Sequence, residues 1–415
     1  MIQVCDAIMG TGKSSAAITY MNEHKEEKFI YITPYLEEAE RIKNGCKSMH
    51  FVEPSDKLKE YGFKKSEHTA ALIKQGKNIT TTHQAFKRYT EDMLDDIREY
   101  GYRLIIDENV DVLEKYDFHP DDIQLAIDSG LIIRDEDTYY LAKEDYNGRL
   151  YHELRQFLKV RQLIQMEDSA GTHLFYWVLP PELITAFKDV IILTYIFKGQ
   201  SLHHFLEMYQ LPYEYIGIQK TESGHYRFCD YPGYTPEYVS HLKDMIHILD
   251  NDRMNNIGDS YHALSMSWFG RDENNVEQLK NNVNNCINNI WRNAPAGEKM
   301  WGTFNDCRCK ISGKGYTRSF LRFNMKATNE YRNRHYMIYL VNLFMNVGEK
   351  TFYYKHGIEA DDDMYALSIM VQWIWRSAIR DGDEIYLYIP SRRMRSLLEN
   401  WIEETVQGGN TINEA

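Results

Sequence analysis

No stretch of this sequence approaches the roughly 20 consecutive apolar residues that a membrane-spanning helix needs, so a helical membrane protein is excluded. The opening Met-Ile-Gln-Val-Cys-Asp has neither a basic segment nor an apolar core of the kind a secretory leader carries, and the cytoplasm is the expected compartment. Cysteine is scarce, with 6 in 415 residues. Only Cys307 and Cys309 lie close together, without the second pair or the histidines that a structural zinc site requires, so free thiols in a reducing compartment are expected. Positive charge is not in excess either. A net charge of -13 excludes a protein that merely coats nucleic acid, because sequence-independent affinity comes from neutralised phosphates. Internal repeats are absent, and low complexity is confined to the polar tail at 407–415.

What is present is length and alternation. A chain of 415 residues exceeds what one hydrophobic core usually organises, and two domains are expected. Short apolar strands at 2–6, 29–33, 78–82, 104–106 and 190–194 alternate with segments of helical periodicity, the pattern of a parallel sheet covered on both faces. The stretch 111–189 interrupts this rhythm with helices at 121–128 and 149–163, a hairpin around 135–137 and another closed near 170–171. It reads as an inserted α+β subdomain and is the place where a protein partner is expected. Polar and aromatic residues with Gly224 and Pro232-Gly233 mark 221–235 as a linker. Alternation then resumes over 236–406, with helices near 238–249, 276–291, 364–378 and 393–404 and strands at 262–269, 299–304, 320–324 and 384–389. The domains expected are therefore 1–220, with the insertion, and 236–406.

Three motifs carry chemistry. Ala7-Ile-Met-Gly10-Thr11-Gly12-Lys13-Ser14, between a strand and a helix, fits a phosphate-binding loop. Glycines let the backbone curl so that successive N–H groups face phosphate oxygens, and the following helix presents its positive end. The expected nucleotide-binding set is Gly10, Thr11, Gly12, Lys13, Ser14 and Ser15, with Lys13 reaching the β- and γ-phosphates and Ser14 on Mg2+. Arg103-Leu-Ile-Ile-Asp107-Glu108 is an apolar strand ending in two acids, Asp107 as the second metal partner and Glu108 as the base that orients an attacking water. In Gln372-Trp-Ile-Trp-Arg376-Ser-Ala-Ile-Arg380, the residues Gln372, Arg376 and Arg380 recur every four positions and would share one helix face. A planar guanidinium arriving there could stabilise charge on a transferring phosphoryl group. The neighbouring Trp373 and Trp375 are expected in the core.

The order of these motifs resembles that of superfamily 2 helicases, in the form carried by bacteriophages. Thr33-Pro34 and Thr81-Thr82-His83-Gln84 are similar to motifs that touch the nucleic-acid backbone, Leu193-Thr194-Tyr195 to the motif that couples hydrolysis to strand contacts, and His262 to Phe269 and Lys326 to Tyr331 to motifs of the second domain. The resemblance implies two RecA-like P-loop domains, ATP and Mg2+ as cofactors, and a nucleic-acid partner, DNA rather than RNA. It implies nucleic-acid contacts at Thr33, Pro34, Thr82, His83, Thr328 and Asn329. The basic run from Arg308 to Arg334 adds Lys314, Arg318 and Arg322 to that track, a local positive stripe on an acidic protein. Two departures stand out: the second arginine of the last motif follows the first by four residues where the family has three, and Tyr195 replaces a small residue. No adenine-reading glutamine motif precedes the loop. A duplex translocase that leaves strands paired would share Lys13, Asp107 and Glu108, and a nucleotide-gated binding module would share Lys13.

Overall fold

The computed structural model describes residues 1–34, 36–116, 119–135, 138–141, 163–167, 173–325 and 330–407. The first strands are β1 (Ile2–Asp6), β2 (Phe29–Thr33), β3 (Ile79–Thr82) and β4 (Arg103–Asp107). Then come β5 (Leu113–Tyr116), β6 (Ile132–Asp135), β7 (Thr138–Leu141), β8 (Leu163–Glu167) and β9 (His173–Val178), which build their own antiparallel sheet in the order β5-β9-β8-β7-β6. The chain returns to the first sheet with β10 (Asp189–Thr194), β11 (Tyr213–Lys220) and β12 (Tyr226–Asp230), giving the order β12-β11-β1-β10-β4-β2-β3. All its neighbours are parallel except β11 and β12.

The first sheet is buried on both faces because its strands are apolar at successive positions. On β4, Leu104 and Ile106 enter one core and Ile105 the other; on β10, Val190 and Ile192 oppose Ile191 and Leu193 in the same way. The insertion packs a small core of its own, in which Ile123 and Ala126 of the helix Pro120–Asp128 meet Tyr139, Leu163 and Phe175. The second half forms a four-stranded parallel sheet of β13 (Ile246–Ile248), β14 (Lys299–Gly302), β15 (Tyr336–Tyr339) and β16 (Ile385–Tyr388), ordered β13-β16-β15-β14. Among the described residues no helix is long and apolar enough to cross a membrane, and all six cysteines are free.

Several local expectations are corrected. The stretch expected as a linker contributes β12, because Tyr226 and Phe228 find apolar cover beside Tyr20 on the first sheet's edge. The expected strand at 262–269 is a series of turns: Ala263, Leu264 and Ser265 are buried in succession, Leu264 has φ 62°, and the Asn342 amide donates to the Tyr261 and Ala263 carbonyls at 2.7 and 2.8 Å. The helix expected near 238–249 breaks into a turn of 3-10 helix, a short helix Leu242–Met245 and β13. Phe320 makes a single bridge to Trp301 where a strand was expected, and β15 is a strand the periodicity did not single out. The expected helix at 149–163 lies almost wholly outside the described residues; its last position, Leu163, begins β8.

Candidate active site

In an open parallel sheet, the carboxyl ends of the strands form the crevice where ligands bind. Here the ends of β1, β2, β4 and β10 open onto one cavity of about 520 Å3. Its far wall comes from the second half of the chain, through Gln372, Trp375, Arg376 and Arg380.

The loop after β1 is anchored from below. The Asp6 carboxylate accepts hydrogen bonds from the Ile196 and Phe197 N–H groups at 2.8 and 3.0 Å, and Thr11 turns inward to donate to the Ile8 carbonyl at 2.8 Å. Thr11, expected to bind the cofactor, thus has its side chain buried in the loop. Gly12 has φ 93°, a conformation that side chains rarely adopt, and a Cβ there would lie 2.5 Å from the Tyr226 ring. The helix Lys13–Glu23 starts at once, with no side chain capping its first N–H groups. The Lys13 ammonium folds back onto the loop, donating to the carbonyls of Ala7 and, at 3.1 Å, of Ile8, and burial lowers its pKa.

Asp107 is buried at the tip of β4. Its Oδ2 accepts from the Tyr31 hydroxyl at 2.6 Å and from Ser14 Oγ at 3.3 Å. Burial pushes its pKa up to about 7, although the Tyr31 hydrogen bond pulls the other way. Glu108 takes φ 63°, a left-handed conformation that costs a non-glycine residue roughly 1–2 kcal/mol and here marks the site as strained. Its N–H donates to the Leu193 carbonyl at 3.0 Å, tying β4 to β10. One Glu108 oxygen lies 3.8 Å from the Arg376 guanidinium; the other, buried, has no hydrogen-bond partner among the described residues.

The arrangement around Arg376 corrects the expectation of a shared helix face. The helix Asp362–Ile374 ends before it; Arg376 sits in the turn that follows, Ser377 is extended, and Arg380 lies in the 3-10 turn Ala378–Asp381. Backbone reversal, not helical periodicity, brings Gln372, Arg376 and Arg380 to the same cavity. Arg376 is buried, and the Arg380 pKa is lowered by burial and by the positive charges of Arg332 and Arg376. Trp373 and Trp375 are both buried, as core residues.

Other expected contacts fall elsewhere. Thr33 is fully buried and Pro34 lines the cavity. Thr82 caps the short helix His83–Phe86 by accepting from the Ala85 N–H at 3.3 Å, and buried His83 has Nε2 2.9 Å from the Asp107 carbonyl oxygen. Thr33 and His83 are thus buried side chains that do not line the cavity. Lys314, Arg318 and Arg322 are exposed, while Thr328 and Asn329 lie outside the described residues. The Thr194 hydroxyl donates to Gln200 at 2.7 Å, Gln200 donates to the Tyr195 carbonyl at 2.8 Å, and the Tyr195 hydroxyl accepts from the Trp401 indole at 3.2 Å. Sequence reasoning missed Tyr31, Tyr226, Glu38 and Arg41. The Arg41 guanidinium lines the cavity, paired with Glu38 at 2.6 Å and donating to Ser15 Oγ at 3.0 Å. Only its place on the helix just after Thr33-Pro34 could have pointed to it.

Two α/β halves with a cavity at the strand ends define a protein with the fold of a known group of solved structures. The structure described as "XPD_APO" is similar with a TM-score of 0.51 at 12% identity, covering 96% of this chain and 95% of that one. "Structure of S. tokodaii Xpd4" gives 0.44 at 14% identity, over 96% and 94%. Residues 240–402 match the family described as the YonV C-terminal Rossmann-like domain. Over 411 residues, 97% of this chain and 98% of its relative, the sequence is 34% identical to the SPbeta prophage-derived uncharacterized protein YonV of Bacillus subtilis (strain 168). The chain belongs to the YonV family.

Proposed function

We propose that this protein is an ATP-driven nucleic-acid helicase or translocase of the superfamily 2 type, phage-derived like its relative, with two RecA-like P-loop halves that clamp one nucleotide. The observation that carries the reading is the single cavity in which a glycine loop, two acids on a strand tip and two arginines from the far half converge. The residues fit the nucleotide and its metal. Ser14 and Asp107 point at each other across 3.3 Å, and burial holds Asp107 near neutrality, a condition that a cation beside it would reverse. These two would hold Mg2+, which when bound neutralises charge on the phosphates. Lys13 would leave the Ala7 and Ile8 carbonyls for a phosphate oxygen. Glu108, with one oxygen unpartnered, would orient and deprotonate the attacking water. Arg376 and Arg380, crowded cations at the cavity wall, would meet the charge that develops on the transferred group.

Closure of the cavity around ATP and reopening after hydrolysis would move two strand-contacting surfaces relative to each other. Exposed Lys314, Arg318 and Arg322 belong to the track on the second half, and the insertion offers a surface for a protein partner. DNA is the proposed polymer. The test is ATP turnover with no polymer, single-stranded DNA, RNA or duplex, followed by unwinding of a forked duplex. Single-stranded DNA should stimulate wild-type turnover strongly; Lys13→Ala should lose nucleotide binding, and Glu108→Gln should keep ATP bound without turnover. Wild-type turnover by Glu108→Gln would remove Glu108 from the role of base. Stimulation by duplex without strand separation would make the protein a duplex translocase, and no turnover under any condition would make it a nucleotide-gated binding module.

A further inference from the structure

Behind the cavity, the helix Ser201–Met208 follows directly on Gln200 and carries His203, His204 and Glu207. One ring nitrogen of each histidine and a carboxylate oxygen of Glu207 all lie within 4.8 Å of one another. His203 is oriented from both sides: its Nδ1 lies 3.2 Å from the Tyr213 hydroxyl, and its Nε2 faces the Glu207 oxygen at 3.5 Å. Nitrogen and oxygen ligands on one tetrahedral zinc ion, at about 2.1 Å from it, stand roughly 3.4 Å apart, so the His203–Glu207 edge already has the spacing of a shared metal. His204 supplies the independent observation. It is 3% exposed, its ring packs against Tyr353 at 5.0 Å, and neither ring nitrogen has a hydrogen-bond partner among the described residues. A buried imidazole in that state has lost water and gained nothing in return, which folded proteins rarely tolerate without a ligand.

We propose that His203, His204 and Glu207 form a binding site for one borderline divalent transition-metal ion of the zinc class. Two imidazoles and a carboxylate suit such an ion better than Mg2+ or Ca2+, which prefer oxygen. A metal on Nε2 requires the His203 tautomer whose Nδ1–H donates to the Tyr213 hydroxyl on β11, 3.2 Å away, the outer-shell arrangement common to metal-bound histidines. Glu207 is half exposed and provides the entry path for the ion. Three protein ligands leave a fourth position for water, yet the site is set in the packing between this helix, β11 and Tyr353. Its role is to fix the helix that begins at Gln200, the residue holding Thr194. The site does not depend on the function proposed for the cavity.

The test uses full-length protein stripped with chelator and titrated with Zn2+ by calorimetry and with Co2+ by visible absorption. One equivalent per chain is expected for the wild type, with a cobalt spectrum of tetrahedral nitrogen and oxygen ligation and a rise in melting temperature on adding Zn2+. Glu207→Gln alters an exposed side chain and should fold normally while binding Co2+ at least tenfold more weakly. Tyr213→Phe should weaken binding about 10- to 100-fold, and His204→Ala should abolish it. Equal cobalt affinity in the wild type and Glu207→Gln, absence of any one-equivalent binding, or loss of the metal in Cys309→Ser instead would overturn the proposal.

Discussion

Asp107→Asn should make the protein more stable, and by an amount that depends on pH. In the folded protein the Asp107 carboxyl keeps its proton until about pH 7, whereas in the unfolded chain it loses it near its ordinary 3.8. Below about pH 4 both states are protonated and the group contributes no difference. Between 4 and 7 the unfolded state ionises alone, so folding loses about 1.4 kcal/mol for each pH unit. Above 7 both states are ionised and the penalty levels off at about 4 kcal/mol, from a shift of roughly three units. Asparagine has no such titration, and its carbonyl oxygen can accept from both Tyr31 and Ser14 as the carboxylate does. Glu349, pushed up to about 7 by its own burial, titrates in the same window but identically in both proteins, so it cancels in the difference. Denaturant unfolding of both proteins without nucleotide at pH 4.5, 6 and 8 measures the effect. The gap between variant and wild type should be smallest at pH 4.5, grow by pH 6 and reach its full size at pH 8. A gap independent of pH, or a variant less stable than the wild type at pH 8, would refute the assignment of Asp107 as a desolvated carboxyl.

Arg376→Ala or Arg380→Ala should reduce polymer-stimulated turnover by about a thousandfold with nucleotide affinity largely kept, because a finger acts on the transition state; full turnover in both variants, measured in single-turnover assays, would show that neither arginine acts on the transferred group. If only one variant is severe, that arginine is the finger. Replacing Lys314, Arg318 and Arg322 together with alanine should lower the slope of log affinity against log salt on single-stranded DNA by about 0.7 for each phosphate that is no longer neutralised. An unchanged slope, from binding titrations at several salt concentrations, would take these residues off the track.

The parallel character of the first sheet was legible because each strand is apolar on both faces over several successive residues, as Leu104-Ile-Ile106 and Val190-Ile-Ile-Leu193 show. The glycine turn after β1 and the strand that ends in two acids were legible because their geometry is local: a few adjacent residues specify the turn and place both acids at the strand tip. What failed was the part of the pattern that depends on partners far away in sequence. Ser265 and Ser267 alternate with Leu264, Met266 and Trp268 like a strand, but Asn342 captures the backbone carbonyls of that segment and forces turns. Arg376 and Arg380 read as one helix face, yet the helix stops at Ile374 and a reversal does the positioning. Tyr226 sits over Gly12 only because β12 folds back as an antiparallel edge, and nothing in residues 221–235 announces that neighbour. Buried Tyr31 gave no signal, since a phenol on an apolar strand looks like any aromatic core residue until Asp107 is placed beside it.

The two halves do not meet at a simple hinge, and this bears on how the proposed motor would transmit force. Ile8 and Ile196, from the first half, are buried in the second half's core, while Met345, Phe352 and Tyr353 are buried in the first half's. The turn at Phe197–Gly199 is pinned by Asp6 from one side and packs so closely on the start of the helix Asp362–Ile374 that a Cβ on Gly199 would stand 2.4 Å from the Met364 carbonyl oxygen. At its other end that same helix, 13 residues and so about 20 Å long, delivers Arg376 to within 3.8 Å of Glu108. A rigid element therefore touches the segment after β10 with one end and the acid pair with the other. If binding at the cavity pulls Arg376 inward, the helix cannot tilt without displacing the Phe197–Gly199 turn, and with it Gln200 and Thr194. The coupling between hydrolysis and strand contacts would then run along this helix, from Arg376 at one end to the Phe197–Gly199 turn at the other, and would not require Thr194 itself to touch the polymer.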